Sequence, residues 1–560
     1  MKLVTVKEMR SIEQESDRLG HTYADMMASA GRGLGAWVDK TYGEAELRTV
    51  LGLVGTGNNG GDTLVALNHL LSQGWYAFAY LVRPRAEGDP LVDAFAQSGG
   101  IVLDGADDPD FQRLESHLQQ SSVLLDGILG TGIQLPLKPE VSRMLAWVKN
   151  FLAGCDPLSE PFSDSRVVCH PHVVAVDCPS GVNCDTGEAA GETLAAEATV
   201  CMSAAKMGLV TFPAFPLVGR LVAVDIGLPE GMATAAAIKR SVVDPAMVKA
   251  ILPVRDMSAH KGTFGTALVV AGSINYTGAA WLAGRAAYRI GAGLVTLAVP
   301  EPLYHVLAGQ FPEATWVLLP HHSGVLAPGA EEILRQAMPR ITSLLMGPGW
   351  GLENETLAFL SRFLQVDTPS SQPGTGFVHF TAKPAAGQPA SLPPVVMDAD
   401  GLKLLARIPD WARYLPAPAV LTPHPGEMAV LTGLPVDEIQ ANRFSIAETY
   451  AQKWGHVVVL KGALTVVASP DGRSALIPVA TPALARAGTG DVLAGVIAGL
   501  RAQGVGAFES ALAGAWIHAQ AGLAAADSMG NTASVLAGDV LNAIPRVINQ
   551  LIIPESQPGS

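Results

Sequence analysis

Two series of short apolar runs, each closing on a turn rich in Gly, Asp or Pro, constrain this chain more than any other feature. The first comprises Thr49–Val54, Trp75–Val82, VLLDGILGTG (123–132), VVAVDCPSGVN (173–183), ATVCMSAAKMG (198–208) and VAVDIGLP (222–229). Helical patterns separate several of these runs: one runs through Met27 near the N-terminus, another covers Asp62–Gln73. Strands alternating with helices imply a parallel sheet covered on both faces, with binding residues gathered at its carboxyl edge. After Pro229 the pattern weakens, and a second series begins near Arg255: TALVVAGS (266–273), GLVTLAVP (293–300), TSLLMGPGWG (342–351), PVVMDADGL (394–402), AVLTPHPGE (419–427) and HVVVLKGALTVV (456–467). It closes on ARAGTGDVLAG (485–495). A chain of 560 residues is too long for one ordinary core. The expected fold class is α/β in two domains, residues 1–238 and 239–560, the first a Rossmann-like doubly wound sheet. Segments 153–170 and 367–394, rich in Ser, Pro and Gly, read as mobile insertions, and the tail ESQPGS as a fraying end.

Composition excludes several classes. Charged residues make up only 16% of the chain and hydrophobic ones 49%, which argues for a well-buried globular protein rather than disorder. The net charge of −14 argues against nucleic acid or an anionic membrane as a partner. The N-terminus MKLVTVKEMRSIEQE shows no signal-peptide core, and the uncharged run Gly262–Gly284 is broken by glycines, Ser273 and Asn275, so it reads as strand, loop and helix. Five cysteines without C-x-x-C spacing read as reduced thiols in a cytoplasmic protein. The stretch Cys169-His170-Pro171-His172 has no second ligand cluster and reads as a loop rather than a metal site.

LVGTGNNGGDTLVAL (53–67) carries Gly55, Gly57 and Gly60 in the G-x-G-x-x-G spacing that lets a helix N-terminus receive a pyrophosphate. Arg83 and Arg85, after the next strand, would then suit a 2′-phosphate and an NADP-linked oxidoreductase. Asp62 contradicts that use, because a carboxylate in the first helical turn repels an anion. Asp126 and Asp177 end two further strands, so three carboxylates converge on one edge, where like charges are costly. One resolution is a cation held by oxygens of Asn59, Asp126 and Ser180, which would leave Asp62 and Asp177 to hold hydroxyls or move a proton. For each Asp alone, turn formation or helix capping is the plain reading.

NNGGD (58–62), LLDGILGTGIQLP (124–136) and VDCPSGVNCDTGE (176–188) resemble the NAD(P)H-hydrate epimerases, through most of residues 1–230. The resemblance implies a dinucleotide substrate hydrated on its nicotinamide ring, held by Asn58, Asn59, Gly60, Gly61 and Asp62. It adds Gly130, Thr131, Gly132, Ile133, Gln134, Leu135 and Pro136 as a second substrate loop. Asp177 is then the acid/base, and Asn59, Asp126 and Ser180 bind K⁺. Thr63 departs from the family, which has Gly there.

In AGTGDVLAG (487–495), Gly488 and Gly490 allow close backbone approach and the following helix offers its N–H groups to a phosphate. Asp491 can take a proton from a hydroxyl that is being phosphorylated; an ordinary helix cap is the alternative. This loop resembles those of ribokinase-like small-molecule kinases. KGALT (461–465), TPHPGE (422–427), MGPGWG (346–351), AHKGTFG (259–265) and AGSINYTGAA (271–280) occur in the order found in the ADP-dependent NAD(P)H-hydrate dehydratases, over roughly 255–545. That resemblance implies a ribokinase-like second domain that uses ADP, with Mg²⁺, to expel the ring hydroxyl of the S epimer. Ala279, Gly349, His424 and Asp491 would contact the hydrated dinucleotide. Lys461, Gly462, Ala463, Leu464, Thr465 and Gly490 would contact the nucleotide. The expected partners are NADH-hydrate, NADPH-hydrate and ADP, in a homo-oligomer. Two rivals remain open at this point: a small-molecule kinase fused to an NADP-binding domain, and a nucleotide-binding protein without turnover.

Overall fold

A computed structural model of the protein describes residues 1–45, 47–154, 171–366 and 392–552. The insertions expected at 153–170 and 367–394 fall almost wholly outside these residues, as does the tail. The chain forms two compact units, Met1–Arg240 and Ser241–Ser560.

In the first unit, seven strands form one parallel sheet: β1 (Thr49–Val54), β2 (Tyr76–Leu81), β3 (Ile101–Asp104), β4 (Val123–Gly127), β5 (His172–Val176), β6 (Ala198–Met202) and β7 (Arg220–Val224). Their order is β3-β2-β1-β4-β5-β6-β7, with all pairs parallel. Every residue of β1, β4 and β6 is buried, as expected of strands covered on both faces. Strand order reverses between β1 and β4, which opens a crevice at their carboxyl ends.

The single helix expected near the N-terminus is two. α1 (Val6–Arg18) and α2 (Tyr23–Tyr42) each start on a threonine capping box, Thr5–Glu8 and Thr22–Asp25. α3 (Asn58–Ser72) begins four residues earlier than its apolar pattern suggested, because Asn-Asn-Gly-Gly carries no apolar signal yet its backbone is helical. The short strand Lys2–Val4 pairs in parallel with Ala204–Lys206.

Among the described residues, the main sheet of the second unit has nine strands: β8 (Thr266–Val270), β9 (Leu294–Pro300), β10 (Thr315–Leu319), β11 (Ser343–Met346), β12 (Val395–Met397), β13 (Val420–Leu421), β14 (Val457–Leu460), β15 (Val466–Ala468) and β16 (Ser474–Leu476). The order is β10-β9-β8-β11-β12-β13-β14-β15-β16. Pairing is parallel up to β14 and antiparallel for β15 and β16. Within the run 456–467, the KGALT turn joins two antiparallel strands, β14 and β15. α4 (Thr277–Arg289), α5 (Pro425–Thr432), α6 (Thr489–Ala502) and α7 (Ala507–Met529) flank this sheet. α6 packs so closely on α4 that a Cβ at Gly495 would stand 2.2 Å from the Ala283 carbonyl oxygen. No helix among the described residues is long and apolar enough to cross a membrane.

Candidate active sites

The carboxyl edge of the first sheet opens into a cavity of about 770 Å³. Asn58, Asn59 and Asp62 line it from α3, and Gly130, Thr131, Gly132 and Ile133 from the loop after β4. Asp177, after β5, completes that wall. Gln134, Leu135 and Pro136 line a neighbouring depression instead, with Asn183 and Glu188. Gly60 and Gly61 do not line the cavity; a Cβ at Gly60 would lie 2.0 Å from the Gly55 carbonyl oxygen.

That contact revises the glycine motif. A Cβ at Gly55 would in turn stand 1.9 Å from the Ile128 carbonyl oxygen. Gly55 and Gly60 thus let the loop, α3 and the segment after β4 pack backbone to backbone. Arg85 is committed too: it pairs with Asp89 at 2.8 Å and donates to the Gly55 carbonyl at 2.6 Å. Arg83 pairs with Glu140 at 2.5 Å. Both arginines expected at a 2′-phosphate are therefore bound to the protein itself. Asp62 lies in the second turn of α3 and lines the cavity wall. Thr63, the departure from Gly, is fully buried, donates to the Asn59 carbonyl at 2.7 Å, and finds room because Gly52 and Gly127 face it.

Asp177 adopts a left-handed conformation, φ 64°. The Met202 N–H, at 2.9 Å, and the Lys206 ammonium both donate to its Oδ1. Lys206 is buried; burial works against its charge, but Asp177 outweighs this and raises its pKa. Glu13 of α1 lines the same cavity. Burial, reinforced by Asp177, raises Asp62 well above the usual carboxylate range. Burial also raises Glu13. One lysine thus faces three carboxylates, and two of those are held toward their protonated forms.

Asn59, Asp126 and Ser180 converge behind this wall. Asn59 Nδ2 donates to the Val176 carbonyl at 2.6 Å and the Leu129 carbonyl at 3.2 Å. Ser180 Oγ accepts from the Leu129 N–H at 2.9 Å, and the Ser180 N–H donates to Asp126 Oδ2 at 2.8 Å. Asp126 Oδ1 is buried without a hydrogen-bond partner. An unpaired buried carboxylate oxygen beside an amide and a hydroxyl is a donor set that fits a hard monovalent cation.

In the second unit, a cavity of about 470 Å³ lies at the carboxyl edge, lined by His424, Lys461, Gly462, Ala463, Thr465 and Gly490 among others. Leu464 of the same turn points into the core instead, 5% exposed. Gly490 stands in the first turn of α6, whose N-cap Gly488 has φ 89°. Ala279 and Gly349 face each other outside the cavity wall: a Cβ at Gly349, φ 66°, would lie 2.8 Å from that of Ala279.

Lys461 donates to Asp398 at 2.7 Å and lies 3.7 Å from Glu427. The Thr422 hydroxyl donates to the same Asp398 oxygen at 2.7 Å. His424 caps α5: its ring Nδ1 accepts from the Gly426 N–H at 3.0 Å, while its backbone N–H donates to Glu427 Oε2 at 2.9 Å. Burial lowers the His424 pKa. Burial, with the neighbouring Asp398 charge, pushes Asp491 up to about 7. A helix N-terminus with a near-neutral carboxyl group can both hold a phosphoryl group and accept a proton.

Comparison with known proteins identifies the family. A family model described as NAD(P)H-hydrate dehydratase matches residues 267–546, and one described as YjeF-related protein N-terminus matches residues 23–208. The chain is 34% identical over 558 residues to the bifunctional NAD(P)H-hydrate repair enzyme of Moorella thermoacetica, covering 98% of this chain and 97% of that one. It is 35% identical over 546 residues to the enzyme of the same name from Salinibacter ruber, with 93% and 91% covered. The chain belongs to the bifunctional NAD(P)H-hydrate repair enzyme family. A solved ADP/ATP-dependent NAD(P)H-hydrate dehydratase from Bacillus subtilis, co-crystallized with ATP/Mg²⁺, is 30% identical, covers 56% of this chain and 100% of its own, and has a TM-score of 0.44. The fold class of this repair-family member is the expected one, a Rossmann-like and a ribokinase-like α/β domain.

Several residues of its sites escaped the sequence reading. Lys206 was passed over inside an apolar run, although a lysine within ATVCMSAAKMG is itself a signal of a buried partner. Asp398 and Asp400 sit at the end of PVVMDADGL, where a D-x-D after a parallel strand marks a site edge. Asp400 accepts from the Gly351 N–H at 3.0 Å and pairs with Lys403. His172, from the stretch weighed as a metal site, pairs with Glu197 at 2.8 Å and stacks on Tyr42; Cys169 and His170 lie outside the described residues. Cys178, Cys184 and Cys201 are buried free thiols.

Proposed function

We propose that the N-terminal unit interconverts the R and S epimers of NADH-hydrate and NADPH-hydrate, and that the C-terminal unit dehydrates the S epimer with ADP, yielding AMP, phosphate and the restored NAD(P)H. The observation that carries this reading is Asp491, raised to about 7 at the N-terminus of α6 and next to a cavity lined by the KGALT turn. Hydroxide is a poor leaving group. Asp491 takes the proton of the ring hydroxyl as its oxygen attacks the terminal phosphoryl group of ADP, and the α6 N–H groups stabilise the charge that develops. The carbon–oxygen bond then breaks, pushed by the ring nitrogen lone pair, and phosphate leaves. Loss of a ring proton restores the double bond. Asp398 and Glu427 offer oxygen ligands of the type Mg²⁺ requires, and they would hold it with the phosphates.

In the N-terminal unit, Asp177 is the acid/base, with Asn58, Asn59, Asp62 and the 130–136 loop holding the dinucleotide. K⁺ would sit on Asn59, Asp126 and Ser180, supported by the partnerless Asp126 Oδ1, and would supply positive charge at the edge of the carboxylate cluster. A dehydratase that takes one epimer strands the other unless an epimerase feeds it, which accounts for the pairing of the two activities in one chain.

Near-ultraviolet absorbance of mixed-epimer NADH-hydrate, followed with ADP, with ATP and with neither, tests both activities. Full recovery of the dihydronicotinamide band, only with nucleotide and faster than spontaneous epimerisation, is expected. Recovery that stalls at one epimer would overturn the N-terminal assignment; none at all would overturn the C-terminal one.

A further inference from the structure

Among the described residues lining the nucleotide cavity, one buried side-chain polar atom has no partner in the protein. Its apolar wall includes Ile477, Val479, Leu484 and Leu493, and its floor is the face of α7 that carries Ala515, His518 and Ala519. The i, i+3, i+4 spacing of those three residues puts them side by side. Every other polar side chain at this cavity has a partner. Lys461 donates to Asp398, and Arg486 to the Ala533 carbonyl. Thr489 Oγ1 donates to the Leu484 carbonyl, and Thr465 Oγ1 to that of Gly462, each at 2.9 Å. Thr481 Oγ1 accepts from the Ala483 N–H at 3.3 Å, and His424 Nδ1 from Gly426.

His518 differs. It is 7% exposed, and its Nε2 has no hydrogen-bond partner. Burial pushes the imidazole down to about 4, so the ring is neutral, and its partner in the protein is the Thr489 backbone carbonyl. A neutral ring that gives its one N–H to a carbonyl presents a lone pair at the other nitrogen. A buried acceptor without a partner, on a residue that lines a ligand cavity, calls for a donor on the ligand.

We propose that His518 Nε2 accepts a hydrogen bond from a donor on the nucleoside part of the bound nucleotide, and thereby selects which nucleotide this site takes. This rests on the reading of the C-terminal unit as a nucleotide-dependent dehydratase. The phosphates belong at the end formed by Lys461 and Gly490, and the apolar wall suits the faces of a purine. A nucleoside offers two kinds of donor there, the 6-amino group of adenine and the ribose hydroxyls. A purine with oxygen at position 6 would set lone pair against lone pair, so the same contact rejects the wrong base.

The test uses the full chain as wild type, His518→Leu and His518→Gln, with dehydration of NADH-hydrate followed at varied ADP, inosine diphosphate and 2′-deoxy-ADP. His518→Leu should raise KM for ADP about tenfold, with KM for NADH-hydrate and the epimerase rate unchanged. Wild type should favour ADP about tenfold over the analogue that lacks the donor, and His518→Leu should lose that preference. Discrimination against inosine diphosphate puts the donor on the base; discrimination against 2′-deoxy-ADP puts it on the ribose. His518→Gln, whose amide oxygen can accept, should recover part of the affinity and serves where the leucine variant does not fold. An unchanged KM for ADP in both variants, or an equal rise for both substrates, overturns the proposal. Wild type that restores no absorbance with any nucleotide overturns the dehydratase reading instead. ADP-induced thermal stabilisation of wild type against His518→Gln then still decides the contact.

Discussion

The Lys206 ammonium donates to Asp177 Oδ1 across 29 residues of sequence, with side chains only 1% and 9% exposed. This pair is the electrostatic centre of the cavity in the first unit, since Asp62 and Glu13 add two more carboxyl groups to the same wall.

Lys206→Met should therefore abolish epimerisation and leave dehydration intact. Removing one partner of a buried ion pair costs about 3–5 kcal/mol, because the other charge stays buried. The lysine's pKa is raised in the folded state, so its contribution is fully present below the unfolded value near 10.4 and is lost only as pH rises through the folded value. The stability gap between wild type and variant should thus be constant from about pH 6 to 9. Urea unfolding across that range, together with both activities, checks this; a dehydratase lost with the epimerase would contradict it.

Asp491 has the opposite consequence for stability. Its folded pKa of about 7 exceeds the ordinary carboxylate value, so its contribution is greatest at acid pH and falls as pH rises to about 7. Asp491→Asn should stabilise the second unit at pH 8 by about 1–3 kcal/mol while eliminating dehydration. Wild-type kcat/KM for dehydration should rise through about pH 7 as the base ionises. A profile flat from pH 6 to 8 would remove Asp491 as the base.

The accommodation of Thr63 depends on Gly127, where a Cβ would stand 1.9 Å from Thr63 Oγ1. Gly127→Ala should destabilise the first unit by about 2–3 kcal/mol through overpacking. Adding Thr63→Ala should recover part of that loss, because it removes the clashing oxygen. Chemical unfolding of the two singles and the double closes the cycle; strict additivity would show that the two positions do not share the space.

Arg85 clamps the glycine loop through Gly55 and Asp89. Arg85→Ala should lower epimerisation of NADH-hydrate and NADPH-hydrate by the same factor, about tenfold. A loss confined to NADPH-hydrate would restore the 2′-phosphate role to this arginine. Initial rates with each purified hydrate decide between them.

Much of the fold was legible along the chain. The strands Thr49–Val54 and Val123–Gly127 read directly from apolar runs ended by glycine turns, because burial on both faces leaves a continuous apolar signal. The start of α3 was not legible, since Asn58–Gly61 form helix without any apolar periodicity. Asn58, Asn59, Asp62 and Asp177 were legible as site residues because each sits where a parallel strand ends. Lys206, Glu13 and His518 were not: they lie inside a strand or a helix, and single residues there look like core or surface until their neighbours are known.

Sequence by itself determined the two α/β units, the strand-end edges where cavities lie, and the presence of Asp177 and Asp491 at those edges, because strand ends and glycine turns are local features. Tertiary structure alone decided which charge meets which: Lys206 with Asp177, Lys461 with Asp398 across 63 residues, and Arg85 with the Gly55 carbonyl of the glycine loop. It also decided that Gly55 and Gly60 of the first loop serve backbone packing. The physical reason is that burial turns a partner from optional into obligatory, and strand order, which no local pattern specifies, chooses the partner.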